Sequence, residues 1–513
     1  MGADDNFFAL GGDSILSMQV VSRLRRTGLH LATKDLFTHQ TVAELATVVT
    51  TGPDRADDGP VTGDLPLTPI QHWFLTTPRA NHHHFNQSAL LELDGEPDPT
   101  ALEAALTALL THHDALRLRF TEQEGRWHQH NPPPPATPDR LLTRHDLTGL
   151  TPDQTDTALR TTADTLHTGL DIGRGPLLRA ALFTGGRDHP GYLLLVAHHL
   201  VIDAVSWRIL LDDLDTAYHQ AAQGHPVTLG ARTTSFRDWA RGLAAHVAAG
   251  ALDHELPYWE EALNSAPLPV DHTPEPATTA ETRTLTRTLD ESDTTALLRA
   301  APTAYRTRIN DVLLAALALA LARWTDRDRV SVDLEGHGRE DVLDGVDLSR
   351  TVGWFTTVHP VGLHIPDRAD LGPTRDWRAL VKSVRRQLRT VPGNGLGFGA
   401  LRTYGSPDIR RRLERTGHGR LVFNYLGQWD ARRTGTDTGG GLIRAEHGSF
   451  GQDHDPRDPG SHLLEAVGAV QNGRLTFTWH YRPDTHEETT VRAVAEDFTE
   501  ALHQIARHAR NSL

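Results

Sequence analysis

Two histidines and a carboxylate lie in the string AHHLVIDAVSW at 197–207, where an apolar run ends. An imidazole titrates near neutral pH, so His199 can move a proton if a rigid element aims it at a cleft. The run before it, YLLLVA at 192–197, has the length and composition of a buried strand. The run after it, WRILLDDL at 207–214, repeats its apolar residues at helical spacing, with Ser206 placed to cap it. The pattern predicts a strand end and a loop that present His199, with Asp203 four residues on. A structural histidine pair or a metal site would use the same residues.

The other residues set limits on that chemistry. The chain has 513 residues, too many for one hydrophobic core, so two or more domains are expected. It has no cysteine, which excludes disulfides, thiol nucleophiles and thiolate zinc sites and leaves His, Asp, Glu, Ser and Tyr as the catalytic repertoire. A formal net charge of −15 argues against a nucleic-acid partner, and arginine-rich stretches such as RRQLR at 385–389 read as solvated helix faces. The longest apolar run, at 312–322, is shorter than a membrane span and reads as a core helix. The start has no basic-then-apolar signal layout, so a cytoplasmic protein with no membrane partner is expected. The clusters His82, His83, His84 and His112, His113 lack the spacing of known metal loops, and no metal is expected.

Around these residues the chain divides by composition. Ser14 opens an amphipathic helix with Ile15, Leu16, Val20, Val21 and Leu24 as its apolar side, and a serine there ordinarily serves as a cap. The stretch TTGPDRADDGPVTGDL at 50–65 is polar and rich in Gly and Pro, hence a linker. Beyond it, helical patterns such as 101–113 alternate with strand-like ones such as 116–120 and 193–197, an α/β pattern. A proline-rich region at 264–280 precedes a strand at 282–289 and a helix from 311, suggesting two lobes. The expected domains are a small helical unit at 1–50, a linker at 51–65 and a large unit at 66–513, with lobes at about 66–265 and 266–513.

Several strings carry a resemblance to nonribosomal peptide synthetases. DDNFFALGGDSI at 4–15 resembles the attachment motif of peptidyl carrier proteins, which implies 4'-phosphopantetheine on Ser14; Gly11 and Gly12 allow the tight turn, and a helix start favours a phosphate. Asp13 is similar to carriers that deliver to epimerization domains. Carriers of this family have a helix ahead of the motif, so the unit is expected to be a partial carrier. HHLVIDA at 198–204 resembles the HHxxxDG motif of condensation and epimerization domains, and PIQHWF at 69–74, FNQ at 85–87, RTVGWF at 350–355, PGNGLGFG at 392–399 and FNYLG at 423–427 match further motifs of the same set. EGHGRE at 335–340 resembles the signature that separates epimerization from plain condensation domains.

The resemblance implies a carrier followed by two chloramphenicol-acetyltransferase-like lobes in a V with a central tunnel. It further implies cofactor-independent inversion at the α-carbon of an aminoacyl or peptidyl thioester, as in antibiotic biosynthesis. His199 and Glu335 would line the site from opposite lobes, with Glu335 a proton-transferring carboxylate and Tyr425, backed by Asn424, a rival for either task. Asp203 would be structural with Arg350 as its partner, and His198 structural as well. Ala204 stands where the family has Gly, and would cost strain if that position needed a positive φ. A phosphopantetheinyl transferase, an upstream adenylation domain and a downstream condensation domain are the implied partners. A condensation domain that forms amide bonds, or a docking module of the same fold with decayed chemistry, are the competing readings.

Overall fold

The strand Tyr192–His198 has no polar alternation because it is buried on both faces: Leu193, Leu195 and Ala197 enter one core while Leu194 and Val196 enter another. It is the middle of a five-stranded sheet in the order Ile443–Glu446, Asn86–Leu93, Tyr192–His198, Leu178–Thr184, Leu142–Asp146. The helices Pro99–His112 and Ala204–Ala222 pack together, and Pro152–Thr168 packs on strands Leu178–Thr184 and Tyr192–His198. A computed structural model describes this chain apart from residues 1, 9, 11, 13, 52–58, 136–140, 186–189, 274–281, 366–375, 415–420, 429–440, 459–461 and 513. Gly11 and Asp13 of the attachment motif therefore lie outside the described residues.

A six-stranded sheet organises the second lobe, in the order Arg283–Thr288, Arg474–Tyr481, Leu464–Gln471, Leu421–Gln428, Arg329–Gly336, Thr357–His364. One face, with Val330, Val332, Phe423, Ala466, Phe477 and Trp479, packs on a separate apolar core. Helix Ile309–Thr325 lies in that core and is buried all round from Asp311 to Ala322, which explains a sequence without an amphipathic stripe. Alternation sends Asp333, Glu335, Asn424, Glu465 and His480 to the opposite face. Asp333 pairs with Val422, Val422 with Glu465, and Glu465 with His480, so three of these residues stand in one row across the sheet.

The structure differs from the sequence reading at four places. Thr50–Thr51 pairs with Leu29–His30, and Gly63–Leu65 pairs with Arg126–Asn131, so both ends of the expected linker belong to the units they join. The strand Ile443–Glu446 joins the first lobe's sheet rather than the second, pairing with Asn86–Leu93. The expected strand at 116–120 begins as a turn of 3₁₀ helix, Asp114–Arg117, because buried Arg117 turns back onto the carbonyls of Leu110 and Thr111 at 2.7 and 2.9 Å; the strand is Arg119–Gln123. Helix Ala204–Ala222 is capped by Asp203, whose Oδ1 accepts from the Ser206 backbone NH at 2.7 Å, and not by Ser206. Among the described residues no helix is long and apolar enough to cross a membrane.

Candidate active site

His199 begins the single 3₁₀ turn that ends the strand Tyr192–His198. Its ring lies between Phe85, stacked at 5.3 Å, and Trp354 at 4.3 Å. The two ring nitrogens have distinct duties. The indole NH of Trp207 donates to Gln87 Oε1 at 2.9 Å, which leaves the Gln87 amide NH₂ to donate to His199 Nε2 at 2.9 Å. His199 Nδ1 then carries the proton and donates to the Ile202 carbonyl at 2.8 Å. Burial, opposed by these backbone bonds and by the Asp203 charge, pushes the imidazole down to about 4. His199 is therefore neutral at pH 7, with a lone pair on Nε2, and keeps part of its surface open.

His198 faces the other way. Its Nε2 donates to the His82 carbonyl at 2.9 Å, its Nδ1 accepts from the Leu200 NH at 3.1 Å, and burial pushes it down to about 3. Both nitrogens hold backbone.

Asp203 is bound to Arg339 and not to Arg350. Arg339 Nη2 reaches both carboxylate oxygens, at 3.0 and 3.2 Å, and the NH groups of Ser206 and Phe355 complete the shell at 2.7 and 3.2 Å. Arg339 also donates to the carbonyls of Leu348 and Thr351 and lies 4.0 Å over the Phe355 ring. The histidine string and the EGHGRE string are thus fastened by one buried ion pair. Gly338, at φ +66°, makes the approach possible, since a Cβ there would lie 1.7 Å from the Phe355 carbonyl oxygen. Arg350 instead pairs with Asp213, which also accepts from His113 Nε2 at 3.0 Å. Burial pulls Asp213 upward, but His113 and Arg350 together hold it below its ordinary value. His112, His113 and Asp213 come close enough to hold a cation, yet the Arg350 guanidinium already occupies that carboxylate.

Arg339 is consequently not paired with Glu335. Glu335 stands near the end of strand Arg329–Gly336, with part of its side chain exposed and its carboxyl bonded to Asn424 on the neighbouring strand. Enclosure first, then the charges of Glu465 and Asp203, push its carboxyl up to about 7, against the Asn424 bond. Asp203 acts on both Glu335 and His199, so the two groups share one electrostatic neighbourhood.

Tyr425 does not join them. Strand alternation turns it with Phe423 toward the second lobe's core, on the face opposite Asn424 and Glu335. Ala204, the first residue of its helix, is absent from the positive-φ positions of the described residues, so it carries no strain.

Three further groups surround the pair: Glu465, His480 and His454. The Glu465 charge reaches Glu335, His480 and Arg79; the His454 charge reaches His199 and His480; and the His454 ring lies 4.9 Å from Phe85. No motif spacing marks them. Glu465 and His480 show in the sequence as polar residues within the strands LEAVGAVQ and RLTFTWHY, and His454 lies outside the named strands, bridged to Phe85. The glycine loop PGNG at Pro392–Gly395 is close packing rather than a cradle, since a Cβ at Gly395 would meet the His359 ring at 1.9 Å.

Comparison with known proteins agrees with this arrangement. Residues 61–513 match the family described as the condensation domain, and residues 1–49 match the phosphopantetheine attachment site. The chain is 42% identical to a linear gramicidin synthase of Brevibacillus parabrevis over all of its own length and 7% of that protein's. It is 35% identical to tyrocidine synthase 1 of the same organism over 99% of its own length and 46% of that protein's. The chain thus spans less than half the length of either relative. Among solved structures, the epimerization domain from the third module of tyrocidine synthetase B is 32% identical, with a TM-score of 0.79 over 88% of this chain and 99% of that one. The first condensation domain of the calcium-dependent antibiotic synthetase, at 23% identity and a TM-score of 0.62 over 86% of this chain and 96% of that one, shares the fold. The N-terminal unit is a carrier region for covalently bound 4'-phosphopantetheine, and the two-lobed body makes the chain a member of the condensation-domain family of nonribosomal peptide synthetases.

Proposed function

We propose that the two-lobed body inverts the α-carbon of an aminoacyl or peptidyl thioester carried on Ser14, interconverting L and D forms without joining two substrates. The observation that carries this reading is Glu335: a carboxyl at the lobe junction, bonded to Asn424, pushed up to about 7 and sharing the field of Asp203 with His199. Its likeness to an epimerization domain at 32% identity supports the same reading.

Ser14 suits the cofactor. It is the first residue of helix Ser14–Arg26, and the positive end of the helix dipole favours an anion there. Gly12 packs so close to Phe7 that a Cβ would meet the ring at 2.4 Å, which fixes the turn into that helix. When attached there, the phosphopantetheine arm supplies a thioester, whose carbonyl acidifies the α-proton.

The chain's own residues then move protons. His199 Nε2, released from the Gln87 amide, takes the α-proton on one face, and protonated Glu335 returns one on the other. Imidazolium and carboxylate remain, and a proton passing between them through water restores the starting state. The opposite epimer follows the same steps in reverse. Asp203 and Arg339 hold the loop and the strand end in register, while Glu465 and Asp203 set the charge around Glu335.

The test uses the full chain loaded on Ser14 with an L-aminoacyl group, in deuterated water. The D epimer and α-deuterium are expected, with no amide product when a second loaded carrier is added. His199→Ala and Glu335→Gln should each slow exchange at least about 10²-fold. An amide product would replace the reading with condensation, and wild-type exchange no faster than that of a free thioester would leave a docking module.

A further inference from the structure

The carrier unit is seated on the two-lobed body at a surface that the proton chemistry does not use. Arg308, exposed at the start of helix Ile309–Thr325, places its guanidinium 5.5 Å from the Phe8 ring and 5.3 Å from the Phe37 ring. The two rings are themselves stacked at 5.2 Å. At a second point Arg25, near the far end of the Ser14 helix, pairs with Asp347. Asp347 is rigidly held: its NH donates to Thr234 Oγ1, its carbonyl accepts from the Thr234 NH, and its Oδ1 accepts from the Ser349 NH.

We propose that Arg308 and Asp347 form a two-point docking seat for a carrier that presents a stacked aromatic pair and an arginine at the end of its serine helix. The two points differ in kind. Arg308 offers a cation to ring faces, an interaction that survives partial exposure, whereas Asp347 offers an anion to a cation. A carrier lacking either the ring pair or the arginine loses one of the two contacts, so the seat selects among carriers. Arg308 belongs to the second lobe. Asp347 lies on the segment that Thr234 ties to the first, so a seated carrier bridges the two lobes at one edge. The seat serves a carrier whether its thioester is inverted or condensed, so it does not depend on the epimerase reading.

The absence of cysteine allows a direct test in the full chain. Arg25→Cys with Asp347→Cys should be joined by a short bismaleimide whose reach matches an arginine–aspartate pair, read as a shifted band on a denaturing gel. A control pair, Arg25→Cys with Asp98→Cys, places the second thiol at the far end of the 14-residue helix Pro99–His112, about 20 Å from the end near Arg232, and should not crosslink. Adding Arg308→Ala to the first pair should slow crosslinking about fivefold, the size of one exposed cation–π contact, with an unchanged thermal melt. Crosslinking of the first pair no faster than of the control would overturn the seat. A rate unaffected by Arg308→Ala would remove Arg308 from it.

Discussion

At His199 the choice of protonated nitrogen is made two side chains away, where the Trp207 indole claims the Gln87 carbonyl oxygen and so turns the amide NH₂ toward Nε2. With His199 ionising at about 4 and Glu335 at about 7, the pair that the proposed inversion uses is a neutral imidazole with a protonated carboxyl. That pair is most populated between the two values. Exchange measured against pH should therefore fall about tenfold per unit above neutrality, as Glu335 loses its proton. A rate that instead climbs through pH 7 to a plateau would make Glu335 a carboxylate base and remove the acid role assigned to it. His199 and Glu335 were both legible as candidates, because each sits in a string whose resemblance names it. Glu465 and His480 were not, since what makes them matter is a shared row of sheet register between segments with no common spacing. Tyr425 was misplaced because the strand that carries it turns neighbouring residues to opposite faces.

Between the elements, the seam is the ion pair of Asp203 with Arg339, which joins the loop after the first lobe's central strand to the end of a second-lobe strand. Sequence reasoning chose Arg350 for Asp203, and nothing in spacing could have decided otherwise. Both arginines are buried, and the choice rests on which carboxylate each backbone path reaches. Arg339→Ala leaves a buried carboxylate without its cation and should lower unfolding stability by about 3–5 kcal/mol, read from urea melts. Ala204→Gly is the complementary test. Because Ala204 opens a helix without strain, the glycine of the family pattern should restore nothing and should cost up to about 1 kcal/mol. A clear gain in activity for Ala204→Gly would show that the loop needs a conformation this helix start does not have.

Across the whole molecule, His112, His198, His199 and His359 are kept neutral by enclosure, pushed down to about 3, 3, 4 and 4. Unfolded, each would take up a proton near its ordinary value of 6.5. Their contribution to stability is thus present above pH 6.5 and lost as pH falls toward 4. Glu335, raised rather than lowered, contributes with the opposite sign as pH rises from its unfolded value through about 7, but it is one group against four. Thermal unfolding midpoints should fall steeply from about pH 6.5 to about 4.5, and a flat profile would mean that these imidazoles reach solvent in the native state. The two-lobed plan and the carrier were legible from motifs and composition, because a polar Gly and Pro stretch and a change of periodicity mark them. The strand Ile443–Glu446 was not, since four residues carry no pattern that says which sheet they will join. Its position matters to anyone recombining synthetases. A graft cut between the lobes near residue 265 would pair a resident sheet with a foreign edge strand, so exchangeable units should keep 61–513 together and place their joints outside it.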